Sequence, residues 1–383
     1  MSTILLGTSG WSYKEWIGPF YDDEKRMFSY YAKFFNTVEI NSTFYRYPSR
    51  STIYGLNRAA PPNFIFSAKL PRLITHKKKL DLAEDIRSDL MRFLELLEPL
   101  YVSGRLGCIL IQLPPSFKYE SGYERLEGFL DIIPDGYEFS VEFRDSSWMR
   151  EDTWRMLRKY GVAYCVVDEP SFPSEVHVTA DFAYFRWHGR NSRLWYNYRY
   201  SERELSEWVP KLEETGKKVK KIYGYFNNHF HGYAIENCIE LMQMLKIAEP
   251  KHEKVKRKII EYNLYGGSLS AGLSRTEREV WQLLLKLTDL NRIKRGRSIG
   301  DEELIIEESS EDRVRMRVKE YTVEFLLGKR ILRHDCDDWR KGLEEKRLCK
   351  HVVKALLSMK PERARDILED IIKNKRFWRF QQF

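Results

Sequence analysis

Two short stretches late in the chain carry residue types suited to holding a metal: His334-Asp335-Cys336 and Cys349-Lys350-His351. Each pairs an imidazole with a thiol across one intervening residue. At a strand end, that spacing puts His334 and Cys336 on the same face. In the second stretch, a helix opening at Cys349 sets its thiol where the helix dipole and Lys350 lower its pKa. Two of only five cysteines and two of only eight histidines fall here. Four such ligands suit a tetrahedral Zn²⁺; the plainer alternative is a reduced structural cysteine pair.

A second constellation is spread over residues 1–245. In Tyr137–Trp148, YEFSVEFRDSSW, a strand ends on Glu142 with Arg144 two residues on, and alternation puts both on one side of a sheet. Alone, they read as a structural ion pair, since buried charges are costly unless paired or bound. Other apolar runs end in the same way. The polar residues at or just beyond those ends are Glu39, Asn41 and Tyr45, then Lys69 (with His76 beyond), Gln112, Asp168, Arg186 with Trp187 and His188, and Asn227 and Asn228 with His229. Trp11 and Trp148 complete an aromatic rim.

The elements that must position these residues are short apolar strands alternating with amphipathic helices. Strands are expected at Ile4–Thr8, Thr37–Asn41, Phe64–Lys69, Gly107–Gln112, Tyr137–Glu142, Val162–Val167, Phe182–Arg186 and Lys221–Phe226. Helices are expected at Met27–Phe35, Asp85–Leu97, Glu151–Lys159 and Glu202–Glu213. Eight strands with intervening helices predict an α/β fold of the (β/α)8 TIM type, whose active face is at the C-terminal strand ends. No GxGxxG or P-loop pattern favours a nucleotide-binding sheet.

The pocket supports two chemistries. Glu39, Glu142, Asp168 and His188, with His229 and His231, could supply a divalent metal site for phosphodiester hydrolysis. Alternatively, Lys69, Arg144 and Arg186 suit an anionic ligand without metal. In that case Glu142 acts as general base, and Gln112, Asn227 and Asn228 hold hydroxyls or base edges. Trp11, Tyr45, Trp148 and Trp187 could stack a base or sugar, or simply pack the rim. Catalytic roles fall to Glu142, Lys69, Asp168, His188 and Glu39; ligand contacts fall to Trp11, Asn41, Tyr45, Gln112, Arg144, Trp148, Arg186, Asn227 and Asn228.

The motifs GTSGW (7–11), FNTVEINSTFYRYP (35–48), FSAKLPRLITH (66–76), LGCILIQLPPSF (106–117), VEFRDSSW (141–148), YFRWHG (184–189) and YFNNHFHGYAIENC (225–238) resemble the YecE-like family of unknown function, in order across residues 3–245. The resemblance implies a TIM-type barrel and no settled reaction. A looser resemblance of barrel type links it to metal-dependent repair endonucleases of the endonuclease IV kind.

The pattern changes after residue 245. Residues 246–300 read as a basic linker (KIAEPKHEKVKRK, then the glycine- and serine-rich YNLYGGSLSAGLS), a helix at Thr276–Leu290 and a basic turn, NRIKRGR. Residues 301–383 read as a small α+β zinc-binding domain, with strands at Glu302–Ile306, Arg313–Val318, Tyr321–Leu327 and Arg330–Arg333 and a turn at Gly328-Lys329. Residues 313–360 resemble a SWIM-type zinc finger, with His334 standing where its first cysteine is usual. That implies Zn²⁺ on His334, Cys336, Cys349 and His351, and binding to DNA or a protein.

The formal net charge is +9. Residues 1–245 hold 32 basic and 32 acidic side chains and residues 246–383 hold 33 and 24, so the whole excess sits in the last third. That asymmetry suits a polyanion-binding appendage, or only a lysine-rich soluble domain. Arg330, Arg333, Arg340, Lys341, Arg347 and Lys350 surround the expected finger and are candidates for phosphate contacts, with the terminal KNKRFWR. Five scattered cysteines argue for a reducing cytoplasm, and the opening MSTILLGTSGW has no signal-peptide pattern. No apolar run approaches the ~20 residues that span a bilayer.

The leading expectation is a nucleic-acid-processing, nuclease-like hydrolase: the finger holds DNA or RNA, and the barrel pocket cleaves a phosphodiester or recognises a lesion. Two alternatives stand beside it. One is a barrel enzyme acting on a sugar or phosphorylated metabolite, with the finger binding a protein; the other is a non-catalytic nucleic-acid adaptor.

Overall fold

The computed structural model describes residues 2–265 and 274–383. It falls into two compact units, residues 1–260 and 261–383. The glycine-rich stretch at 266–273 lies outside the described residues.

In the first unit all eight expected strands form, each within two residues of the expected bounds. They are β1 (Thr3–Thr8), β2 (Thr37–Ile40), β3 (Ile65–Lys69), β4 (Leu106–Gln112), β5 (Phe139–Glu142), β6 (Ala163–Asp168), β7 (Phe182–Trp187) and β8 (Lys221–Phe226). All pair in parallel with their sequence neighbours, and β1 pairs with β8. The ring closes between β1 and β2 through the bridge Ser9–Glu39 and the hydrogen bond from Gly10 N to the Glu39 carbonyl, 2.8 Å. Gly7 permits this closure, because a Cβ there would collide with the Thr37 carbonyl. Gly10, at φ 88°, turns the chain inward just beyond.

Strands covered on both faces read as continuous apolar runs, and β4 and β6 are buried almost throughout. Their inward side chains stack in layers. At the lower end, Tyr223 and Lys221 meet Glu138. In the middle, the Tyr225 hydroxyl bonds Thr37 (2.7 Å) and Ser67 (2.9 Å). The top layer holds Glu39, Glu142 and Arg186.

The expected linker at 246–258 is instead part of a helix, Pro250–Tyr265. His252, Val255 and Ile259, at helical spacing, are buried, and His252 Nε2 bonds the Phe34 carbonyl at 2.6 Å. That anchoring carries the first unit to residue 260.

In the second unit, β9 (Leu304–Ser309), β10 (Arg313–Val318), β11 (Tyr321–Leu326) and β12 (Ile331–His334) form an antiparallel meander. A short strand β13 (Arg379–Gln381) adds in parallel to β12. It was not expected from KNKRFWR; Trp378 is buried and its Nε1 donates to Asp370 at 2.7 Å. The expected basic turn NRIKRGR forms a helix, Leu290–Arg297, capped by Asp289. Among the described residues, no helix is long and apolar enough to cross a membrane.

Candidate functional site

The top of the barrel is organised on Arg186. Its guanidinium donates to Glu39 at 2.7 Å and to Glu142 at 2.6 Å, with all three side chains almost fully buried. Glu39 also accepts from the Tyr184 hydroxyl at 2.7 Å. Glu142 accepts from Gln112 Nε2 and Arg144 Nε, each at 2.6 Å. Burial alone would raise the Glu142 pKa, but Arg144 and Arg186 outweigh it and hold the carboxyl well below its usual range. With both oxygens accepting, Glu142 has little capacity left to take a proton and is held as a buried anion.

Arg144 also reaches Glu169 at 2.6 Å and lies 3.2 Å from His188 Nε2. Asn227 lies 3.0 Å from His188 Nδ1. Burial, then Arg144, pushes His188 down to about 3, so the imidazole is neutral. Glu169 is pushed up to about 7, chiefly by burial.

Above this floor opens a cavity of about 370 Å³. Trp11, Asn41, Tyr45 and Lys69 from the expected set line it, together with Gln112, Arg186 and Asn227. Tyr45 is largely exposed at the mouth. Among the described residues the lining contains two permanent or titrating cations, Lys69 and Arg186, and no carboxylate. Lys69 stands out: its side chain is buried, its Nζ sits 4.0 Å from the Phe44 ring centroid, and no hydrogen bond or ion pair to Nζ is found among the described residues. Burial, then Arg186, lowers its pKa to about 7.

Several expected contacts lie elsewhere. Trp148 is fully buried, stacked on Phe143 (4.6 Å) and Phe117 (5.8 Å), with Nε1 bonded to the Phe117 carbonyl. It packs the core and does not face the cavity. Asn228 bonds the Tyr198 carbonyl and Asn237, fastening a loop to the following helix. Asp168 is taken by Arg190 and Trp208 Nε1. Glu39, Glu142, Arg144 and His188 lie beneath the lining. Their carboxylates are held by guanidinium groups, so the oxygens a pocket metal would need are already engaged. His229 lines the cavity but pairs with Glu15 at 2.6 Å and stacks on Tyr13.

Sequence reasoning did not single out Glu169, Tyr13 or Tyr196. Glu169 directly follows Asp168 at a strand end, which was a usable signal. Tyr196 lines the cavity from the loop after β7 at φ 67°, a left-handed conformation that is costly for a bulky residue. No local pattern announces it.

In the second unit, His334, Cys336, Cys349 and His351 are all buried, and one ligand atom from each falls within 4.8 Å of the others. A tetrahedral ion with bonds of about 2.0–2.3 Å needs ligand atoms about 3.3–3.8 Å apart, so this group could close on a metal with small side-chain movements. His334 Nδ1 lies 2.6 Å from the Thr322 carbonyl. Donation there leaves the Nε2 lone pair facing His351 Nδ1 at 3.3 Å. Both cysteines occupy helix N-caps, before Asp337–Gly342 and Lys350–Leu357, and Trp339 N donates to Cys336 Sγ at 3.4 Å. Hydrogen bonding from Cys349, then from His334 and His351, pulls the Cys336 thiol well below its ordinary value despite burial. Burial and its neighbour Cys336 push Cys349 up.

Most candidate phosphate contacts already have acidic partners. Arg330 pairs with Asp370, Arg333 with Glu324, Arg340 with Asp337 and Arg347 with Glu345. Lys341 and Lys350 have no ion pair among the described residues.

Fold and site together define a (β/α)8 barrel with a cationic, aromatic-rimmed mouth, followed by a small α+β unit with a buried His2Cys2 cluster. The chain belongs to the family described as protein of unknown function DUF72, whose model matches residues 5–259, almost the whole first unit. It is similar to UPF0759 protein YunF of Bacillus subtilis, with 27% identity over 64% of this chain and 95% of that protein. It is also similar to UPF0759 protein YecE of Escherichia coli K12, with 29% identity over 43% and 59%. The crystal structure of a DUF72 family protein from Thermotoga maritima aligns with a TM-score of 0.59 and 36% identity, covering 64% of this chain and 99% of that one. One from Enterococcus faecalis, at 22% identity and a TM-score of 0.57, supports the fold alone.

Proposed function

We propose that the barrel mouth binds a small anionic, ring-bearing molecule, such as a sugar phosphate or a single nucleotide, and acts on it without a divalent metal in the pocket. One observation carries this reading: the cavity walls present Lys69 and Arg186 and, among the described residues, no carboxylate. An anion can pair with Lys69, while the carboxylates beneath the floor, Glu39 and Glu142, are already held by Arg186 and so poorly placed to take a metal ion. Trp11, Tyr45 and Tyr196 offer faces for a ring. A cavity of this size admits one nucleotide and not a duplex, so a nucleic-acid substrate would have to enter as a flipped or single-stranded nucleotide.

The test is calorimetric titration with nucleoside monophosphates and hexose phosphates, each beside its dephosphorylated counterpart, with and without chelator. Tighter binding of the phosphorylated member, unchanged by chelator, supports the reading. Equal affinities, or binding that requires Mg²⁺, count against it.

We assign the His2Cys2 cluster of the second unit to a structural Zn²⁺, because two buried sulfurs and two buried imidazoles, a common zinc ligand set, are brought within 4.8 Å of one another. A second reading, that this SWIM-like unit binds DNA or RNA, is favoured by the location of the +9 excess in residues 246–383. Fluorescence anisotropy with DNA and RNA oligonucleotides across a salt series tests it. A steep loss of affinity with salt supports phosphate contacts; no binding at low salt excludes them.

A further inference from the structure

We infer that Lys69 forms an imine with the carbonyl carbon of an aldehyde or ketone substrate bearing an anionic group, held in the barrel mouth. This rests on the anion-binding reading of the same cavity and adds the reacting functional group. A lysine that only binds an anion is ordinarily paired or solvated. Here Nζ sits 4.0 Å from the Phe44 ring centroid, inside a cavity it lines, with no hydrogen-bond acceptor or ion-pair partner among the described residues. The charged groups around it are Arg186 from β7, Glu39 from β2, Glu142 and Arg144 from the end of β5, and His76 from the segment that follows β3. The carboxylates among them are already bound by guanidinium groups, so none claims the lysine.

Burial and Arg186 bring the amine to about 7, which leaves a substantial free-base fraction at neutral pH. The Nζ lone pair attacks the carbonyl carbon, and the carbonyl oxygen takes up a proton as Nζ loses one, giving a carbinolamine. Loss of that hydroxyl with the second Nζ proton, as water, leaves C=N. One amine and one carbonyl give one imine and one water, with no change of oxidation state.

Pyridoxal 5′-phosphate carries the required aldehyde, ring and phosphate, and is the probe. The full chain is incubated with it at neutral pH, reduced with borohydride and mapped by peptide mass spectrometry. In parallel, calorimetry measures binding of pyridoxine 5′-phosphate, which lacks the aldehyde. The expected result is one reduced adduct per chain, on Lys69, formed up to about 10³-fold faster than on surface lysines because far more of this amine is unprotonated. Lys69→Arg loses the adduct; the wild-type peptide map stands independently of how well that variant folds. Adducts spread evenly over surface lysines, with pyridoxine 5′-phosphate still bound, overturn the imine and leave the anion site. Failure of both adduct and binding overturns both.

Discussion

Replacing Lys69 by methionine is expected to stabilise the folded chain, against the usual direction for a buried substitution. The lysine pKa falls from 10.5 in the ordinary amine to about 7 in the fold, because burial and Arg186 oppose its charge. At 1.36 kcal/mol per pH unit, that drop corresponds to about 5 kcal/mol withheld from the protonated folded state as an upper bound, and about half that once water in the cavity relaxes around the charge. The sign follows from linkage. Between pH 7 and 10.5 the unfolded chain binds the proton and the folded chain does not, so wild-type stability rises with pH across that window. Below 7 the full cost is present, and above 10.5 it is gone. Methionine has a similar length and keeps the contact with Phe44, so Lys69→Met should gain about 2–4 kcal/mol at pH 7 and little at pH 10.5. Urea unfolding followed by circular dichroism at pH 6, 7, 8.5 and 10 measures this directly. A variant less stable than wild type at pH 7, or a difference that does not change with pH, would refute the account of Lys69 as an unpaired buried amine.

Glu169 should act in the opposite sense. Its pKa is raised from 4.5 to about 7, so wild-type stability falls as pH rises through that window; Glu169→Gln keeps an acceptor for Arg144, and its stability relative to wild type should be higher at pH 8 than at pH 5. Arg186→Met leaves Glu39, among the described residues, with the Tyr184 hydroxyl as its side-chain partner, while Glu142 keeps Arg144 and Gln112; the expected loss is about 3–5 kcal/mol, much of it recovered in a double variant with Glu39→Leu. Unfolding midpoints of the single and double variants check this, and additive losses would contradict the pairing. Elemental analysis of the purified chain should find one zinc, and Cys349→Ala should lose it; two or more zinc per chain would require a further site.

Much of the fold was legible because its signals are local. Parallel strands buried on both faces must be apolar and short, and the helices between them must show one apolar stripe, so eight strands and their bounds could be read directly. The metal cluster was legible for a similar reason. His334 and Cys336 share a strand-end face, and Cys349 and His351 open a helix, so both halves were visible before they met. The second N-cap, at Cys336, and the Thr322 carbonyl that orients His334 were not visible, since they depend on where β11 lies beside β12.

The sequence by itself determined which residues reach the C-terminal ends of the barrel strands, because alternation along a strand and the order of strands are properties of the chain. Only the tertiary structure decided which of those residues face the cavity and which lie spent beneath it. Glu142, Glu39 and Arg186 satisfy one another across the barrel at distances no spacing rule contains. Trp148, which looked like rim, is core because Phe117 and Phe143 close on it from two different segments. Lys69 is left without a carboxylate partner among the described residues for the same reason: Glu39 and Glu142 have already been claimed by arginines.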